Sequence, residues 1–225
     1  MNDIKLVVLD LAGTTIDDAG QVSEAFTSVL NGHGIAITKE SLQAVRGASK
    51  REAIRGFVAS RLVGQSAEIF NLTEQIFAAF CTRLATRYKE KGVRAIAGVT
   101  ETLQWLQDRK IKVALNTGFD RAMTTLLLEA LGWEKALVNA VICGDDVPRG
   151  RPAPYLIFRA MEATGVISVH EVANVGDTVL DLEAGWNAGV RGNIGVLTGA
   201  HTKAQLERAP HTHIIPSVAA LPALL

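Results

Sequence analysis

Asp10 has the clearest chemical prospects in this sequence, because Lys5-Leu6-Val7-Val8-Leu9 reads as a buried strand and Asp10-Leu11-Ala12-Gly13-Thr14-Thr15 follows it at once. A carboxylate at the carboxyl end of a central strand, on a turn that glycine permits, stands where open α/β sheets bind ligands, and it is a candidate nucleophile. Asp177 and Asp181 follow another strand-like run, Glu171 to Val175, and lie one helical turn apart. Carboxylates from two strand ends, Asp10 and Asp177, together with the Ala12 carbonyl and waters, suit a hard divalent ion such as Mg²⁺. Asp181 is placed to act on that shell through water or to orient it. Taken alone, Gly176-Asp177-Thr178 reads equally as a turn and helix cap. Lys50 brings a different chemistry. Ser49 and Glu52 have capping-box spacing, which makes Lys50 the first residue of a helix, near the positive end of its dipole and near Arg46 and Arg51. Each of these disfavours the ammonium form and burial would add to them, which is what an amine nucleophile needs.

The elements that must position these groups can be read from periodicity. After the first strand, residues 17–90 read as helices: Glu24 to Leu30, Ser41 to Val45, Ser49 to Leu62 and Ser66 to Tyr88. From Gly98 onward helix and strand alternate, with strands over 112–116, 140–143, 171–175, 193–197 and 213–215, and helices over 98–109, 120–131, 152–164 and 179–188. Such alternation implies right-handed crossovers and a parallel sheet. The expected architecture is a doubly wound α/β core, residues 1–16 and 91–225, with a helical domain, 17–90, inserted after the first strand. Hinges are expected at Ile16 to Gln21 and at Tyr88 to Gly92. An insert at that point hangs over the carboxyl end of the sheet, where it can cover a site and exclude water.

Composition narrows the setting. The chain has 225 residues, with 23 basic and 23 acidic side chains and zero formal charge, so nothing points to nucleic acid or an anionic membrane as partner. No apolar run approaches the roughly 18 residues of a membrane span. The opening Met1-Asn2-Asp3-Ile4-Lys5 leads straight into a strand, which predicts no signal peptide and a cytoplasmic protein. Cys81 and Cys143 show no metal-ligand spacing and are expected as buried free thiols.

The Asp10 segment resembles the first motif of the haloacid dehalogenase (HAD) superfamily, in which that aspartate attacks phosphorus and becomes an aspartyl phosphate. Three further segments follow in that superfamily's order. Asn116-Thr117-Gly118 is similar to the second motif, where a hydroxyl and backbone N–H groups hold the phosphoryl oxygens, although Thr117 alone reads as a helix cap. Arg151 aligns with a cation that bridges the nucleophile and a phosphoryl oxygen, and Arg149 is expected in solvent. Gly176 to Asp181 is similar to the fourth motif. The resemblance implies an inserted type 1 helical cap and a Mg²⁺ cofactor held by Asp10, Ala12, Asp177 and Asp181. It also implies catalytic Asp10, Lys50, Thr117 and Arg151, and a substrate lying against Ala12, Gly13, Thr14, Arg46, Gly118 and Phe119. The expected partner is a small phosphonate or phosphate; a homodimer is left open.

Ala12 stands where most HAD phosphatases carry an aspartate general acid, and Asp-x-Ala-Gly-Thr-Thr resembles the phosphonoacetaldehyde hydrolase (phosphonatase) family. There the lysine equivalent to Lys50 forms a Schiff base with the substrate aldehyde. The pairing has a chemical logic: a carbon leaving group gains little from an acid, but an iminium can receive the electrons of a breaking carbon–phosphorus bond. Arg46, Ala53 and Phe119 stand where that family has Met, His and Tyr, and the cation at 46 implies a larger or more anionic substrate. The Gly-x-Ser-Lys segment also resembles the anion-gripping cap loop of β-phosphoglucomutase-like enzymes, so a phosphatase or phosphomutase-like activity on a small phosphorylated metabolite is the alternative. A catalytically weak binding scaffold is a third reading.

Overall fold

The computed structural model describes residues 3–62, 66–133 and 137–225; residues 1 and 2 of the expected core segment lie outside them. The chain runs β1 (Leu6–Asp10), α1 (Gln21–Gly32), α2 (Lys39–Ala44), α3 (Lys50–Ala59), α4 (Ser66–Lys91), α5 (Val99–Asp108), β2 (Lys112–Asn116), α6 (Arg121–Leu131) and β3 (Ala140–Ile142). It continues with α7 (Tyr155–Thr164), β4 (Val172–Gly176), α8 (Val179–Ala188), β5 (Gly192–Val196), α9 (Lys203–Leu206) and β6 (His213–Ile215). The strands form one parallel sheet in the order β3-β2-β1-β4-β5-β6. The winding direction therefore reverses between β1 and β4. Ligands bind outside the carboxyl ends of the strands at such a point, and Asp10 ends β1 there, level with Asn116 of β2.

β1 is buried along its whole length, as an apolar strand covered on both faces must be. Its alternate residues go to opposite sides. Val7 and Leu9 pack with Leu103 and Leu106 of α5 and Leu127 of α6, whereas Leu6 and Val8 pack with Leu156, Ile157 and Ala160 of α7 and Ala184 of α8. The first cluster continues without a break into the helical module through Phe26, Ile54, Ile76, Phe80, Leu84 and Tyr88. There the Phe26 ring meets Phe80 edge-on at 5.7 Å between centroids and Phe57 at 6.1 Å. No helix among the described residues is long and apolar enough to cross a membrane.

Several boundaries differ from expectation, two of them near the site. α4 runs on to Lys91, because Lys89, Glu90 and Lys91 are good helix formers and only Gly92, at φ 78°, ends the helix. The expected return hinge is thus mostly helix, and residue 90 falls in its last turn. The two connections between core and module instead run side by side: Ile16 bridges Ala95, Asp17 N–H donates to Arg94 O at 2.9 Å, and Ile96 N–H donates to Thr15 O at 3.0 Å. α7 starts at Tyr155 rather than Pro152, since Ala153 precedes Pro154 and a residue before proline avoids helical angles. Of the two free cysteines, Cys143 is buried and Cys81 half-buried.

Asn193, on β5, was not singled out from sequence. Its side-chain amide donates to Leu182 O and to Pro210 O, both at 2.7 Å, and its carbonyl accepts from Asn174 Nδ2 at 3.3 Å. Asn174 in turn donates to Asp181 O at 2.9 Å, so two asparagines tie β4 and β5 to α8. Asn193→Ala leaves buried carbonyls unpaired and is expected to lower unfolding free energy by about 3 kcal/mol. Urea denaturation should show a lower midpoint with an unchanged slope.

Candidate active site

The candidate groups meet because the ends of β1, β2 and β4 and the segment after β3 converge. Asp10 Oδ1 lies 2.8 Å from Nη2 of Arg151, whose Nε lies 2.9 Å from Asp181 Oδ1. The same guanidinium donates to the backbone carbonyl of Asn116 at 3.2 Å, to the Asn116 side-chain oxygen, and through Nη1 to Gly47 O at 3.1 Å. Arg151 is 4% exposed, so its charge is compensated entirely by these groups. Asp181 Oδ2 accepts from Thr178 N–H at 3.0 Å and from the Thr178 hydroxyl, closing the capping box that starts α8. Both Asp181 oxygens are thereby engaged, and Asp181 holds Arg151 in place.

Asp177, just beyond β4, accepts from the Thr14 hydroxyl at 3.1 Å and from Ala200 N–H at 2.6 Å. The carboxylate oxygens of Asp10, Asp177 and Asp181 converge within 4.8 Å of one another. Three buried carboxylates against one guanidinium leave an excess of negative charge. Burial pushes Asp10 up to about 6, with Asp181 adding and Arg151 opposing. Burial, then Asp10 and Asp181, push Asp177 up to about 8, against the bonds from Ala200 and Thr14. The set offers a hard cation one oxygen from each of Asp10, Asp177 and Asp181.

The helical module reaches this cluster through residues 47–52. Lys50 N–H donates to Gly118 O at 3.1 Å and Gly150 N–H donates to Glu52 Oε1 at 2.7 Å. The approach is close enough to require glycine: a Cβ on Gly47 would sit 2.3 Å from Thr178 Oγ1, and one on Gly118 would sit 2.4 Å from Ala48 O. Ser49 caps α3 by accepting from Glu52 N–H. Glu52 does not complete the expected capping box, because its carboxylate is used across the interface at Gly150. Arg51 also turns away from Lys50, pairing with Glu74 and stacking 4.1 Å from the Phe77 ring centroid.

Lys50 points into a cavity lined also by Asp10, Ala12, Asp18, Arg46, Thr117, Phe119, Arg151 and Asp177. Its Nζ donates to Ala48 O at 3.0 Å and lies 5.6 Å from the centre of the Phe119 ring. Burial holds its ammonium below the usual lysine range, and Arg151 adds to this, while Asp10, Asp18 and Asp181 oppose it. The neighbouring cation that matters most is therefore Arg151, from the core, rather than Arg46 or Arg51.

Of the residues expected here from sequence, Asp10, Ala12, Arg46, Lys50, Thr117, Gly118, Phe119, Arg151 and Asp177 line the one cavity, and Asp181 stands behind Arg151. Gly13 and Thr14 do not reach it. Their amides close the turn, donating to Ile16 O at 2.8 Å and Leu11 O at 3.2 Å, and they back onto Asp177 instead. Sequence reading gave no role to Asn116, which it quoted only as part of a motif, nor to Ala200 and Asp18. Asn116 and Ala200 had a signal, since both follow or end strands of the sheet; Asp18 had none.

The family model for haloacid dehalogenase-like hydrolases matches residues 7–194. A phosphonoacetaldehyde hydrolase from Bacillus cereus is 30% identical over 209 residues, covering 88% of this chain and 77% of that protein. Two solved structures share the fold: a hydrolase from Pseudomonas syringae (TM-score 0.84, 22% identity, 98% and 97% of the two chains) and a phosphonoacetaldehyde hydrolase-like protein from Oleispira antarctica (TM-score 0.84, 24% identity, 99% and 91%).

The raised carboxyls make a prediction about the cation-free protein. Asp177 titrates near its ordinary value of 3.8 when unfolded and near 8 when folded, so between those values the folded state binds more protons and stability falls as pH rises. In chelator, the urea midpoint should be lower at pH 8 than at pH 5, and Asp177→Asn should flatten that slope. An unchanged slope in the variant would show that Asp177 does not carry it.

Proposed function

The chain belongs to the haloacid dehalogenase-like hydrolase family, and from that premise we propose that it cleaves the carbon–phosphorus bond of phosphonoacetaldehyde or a near analogue. Lys50 carries this reading: a half-buried amine, held below its usual pKa, opens into the same cavity as Asp10. Ala12 at the same cavity, in place of an acid, fits a leaving group that needs no protonation.

In this mechanism the Lys50 amine attacks the aldehyde carbon and water leaves, giving an iminium. Asp10 attacks phosphorus, the electron pair of the carbon–phosphorus bond flows into the iminium, and a neutral enamine departs. Hydrolysis of the aspartyl phosphate releases phosphate, and hydrolysis of the enamine releases acetaldehyde and frees Lys50. Arg151 holds Asp10 at 2.8 Å and steadies the phosphoryl charge. The Thr117 hydroxyl accepts from Phe119 N–H at 3.2 Å, which leaves its own proton for a phosphoryl oxygen. Mg²⁺ bound by Asp10, Asp177 and the Ala12 carbonyl would supply neutralisation of the phosphoryl charge. The docked 47–50 segment and the Phe26 and Phe119 rings exclude bulk water. A second reading is favoured by Arg46, whose buried Nε has no hydrogen-bond partner among the described residues: Arg46 and Lys50 would grip an anionic substituent of a phosphorylated metabolite.

Lys50→Arg separates the two. It keeps the charge but forms no imine at neutral pH, so phosphonoacetaldehyde cleavage should fall by several orders of magnitude. Under the anion-gripping reading arginine substitutes to within about tenfold, or about 1.4 kcal/mol. Borohydride under turnover should trap an adduct on Lys50, located by mass mapping, and absence of that adduct would exclude the imine. Cleavage should also stop in chelator, return with added Mg²⁺, and be largely lost in Asp177→Asn.

A further inference from the structure

We propose that Asp18 is the proton carrier for imine formation at Lys50, taking the proton of the ammonium and delivering it to the hydroxyl that departs as water. The inference rests on the imine reading above, which leaves two proton transfers without an agent.

The cavity offers few candidates. Guanidinium groups are not proton carriers at neutral pH, the hydroxyls of Ser23, Thr117 and Thr178 are far weaker acids than a carboxyl, and Phe119 has no proton to give. Asp10 is reserved for phosphorus, and both Asp177 oxygens are engaged by Thr14 and Ala200. Asp18 is the remaining carboxylate on the cavity wall. Its Oδ1 accepts from Val22 N–H at 3.0 Å and from the Tyr88 hydroxyl at 3.5 Å. This fixes the carboxylate, while Oδ2 has no hydrogen-bond partner among the described residues. The charged and titratable groups around it come from every neighbouring element: Lys50 from α3, Arg46 from the turn before it, Tyr88 from α4, and Asp17 beside it. Burial raises Asp18 above the ordinary carboxylate range, with the Val22 N–H, Lys50 and Arg46 opposing. That direction suits a group that must both accept and donate near neutrality.

The transfers balance. Asp18 carboxylate takes a proton from the Lys50 ammonium, and the neutral amine adds to the carbonyl, moving one of its protons to the oxygen to give a carbinolamine. The protonated Asp18 then gives its proton to the carbinolamine hydroxyl. The carbon–oxygen bond breaks, water leaves and the iminium forms. Aldehyde and ammonium have become iminium and water, and Asp18 is a carboxylate again.

Asp18 also helps to start α1, since Gln21 N–H donates to its backbone oxygen at 2.8 Å and Val22 N–H to its side chain. Asn caps a helix as well as Asp but cannot carry the proton, so Asp18→Asn separates the two roles. The probe is acetaldehyde with cyanoborohydride, which converts any Lys50 imine to N-ethyl-lysine without requiring phosphorus chemistry. The wild-type protein should be labelled at Lys50, and Asp18→Asn about a hundredfold more slowly, with an unchanged melting temperature and loss of the acidic limb of the pH–rate profile. Asp18→Glu should recover much of the rate. If Asp18→Asn does not fold, Asp18→Ser, which retains a capping oxygen, is read in the same way. Equal labelling of wild type and variant overturns the role of Asp18 and leaves the imine standing. Slower labelling of the variant, in a protein that does not cleave phosphonoacetaldehyde, sinks the carbon–phosphorus reading and supports Asp18. No label on wild-type Lys50 overturns both.

Discussion

Among the described residues, the guanidinium of Arg151 is the one buried cation that touches all the parts of this site. It contacts Asp10 from β1, Asp181 from α8, Asn116 from β2 and the carbonyl of Gly47 from the helical module. A buried ion pair gains little over an apolar pair in net stability, but it fixes geometry, because removing any partner leaves a charge without compensation. Arginine suits this position since its planar fork can serve several acceptors at once, where a lysine would serve one point. Asp10, Asp181 and the docked covering segment are thus held by one side chain.

Docking of the helical module onto the core follows from the same closeness. Gly47 and Gly118 let backbones meet at distances that a Cβ would forbid, and Glu52 receives an amide of the very loop that carries Arg151. The docked module therefore completes the site as well as covering it. The same contacts cover the cavity and place Lys50, so a looser fit of the module would disturb both.

Burial acts on the two ends of the cavity in opposite directions. It lowers the proton affinity of the Lys50 ammonium and raises that of Asp10, Asp18 and Asp177, since each charged form is costly away from water. One cavity thus disfavours the charged form of an amine and of a set of carboxyls together. Arg151 sharpens this at both ends, opposing the rise at Asp10 and adding to the fall at Lys50.

Much of this was legible in the amino-acid order alone, wherever the physics is local. An apolar run ending in Asp10, strands and helices in alternation, and Ser49 one residue before Lys50 each report contacts within a few positions, and they placed β1, the parallel sheet and the start of α3. Tertiary structure decided what local spacing could not. Glu52 gave up its expected capping bond for Gly150, Arg51 left Lys50 for Glu74 and Phe77, and Gly13 and Thr14 turned behind Asp177 rather than towards the cavity. Asp18, in a connection with no periodicity, lines the same cavity as Lys50 because α1 and α4 pack together and bring that connection to the cavity wall. A side chain with several available partners takes the one that crossovers and packing bring near, and sequence spacing carries no record of distances set by crossovers.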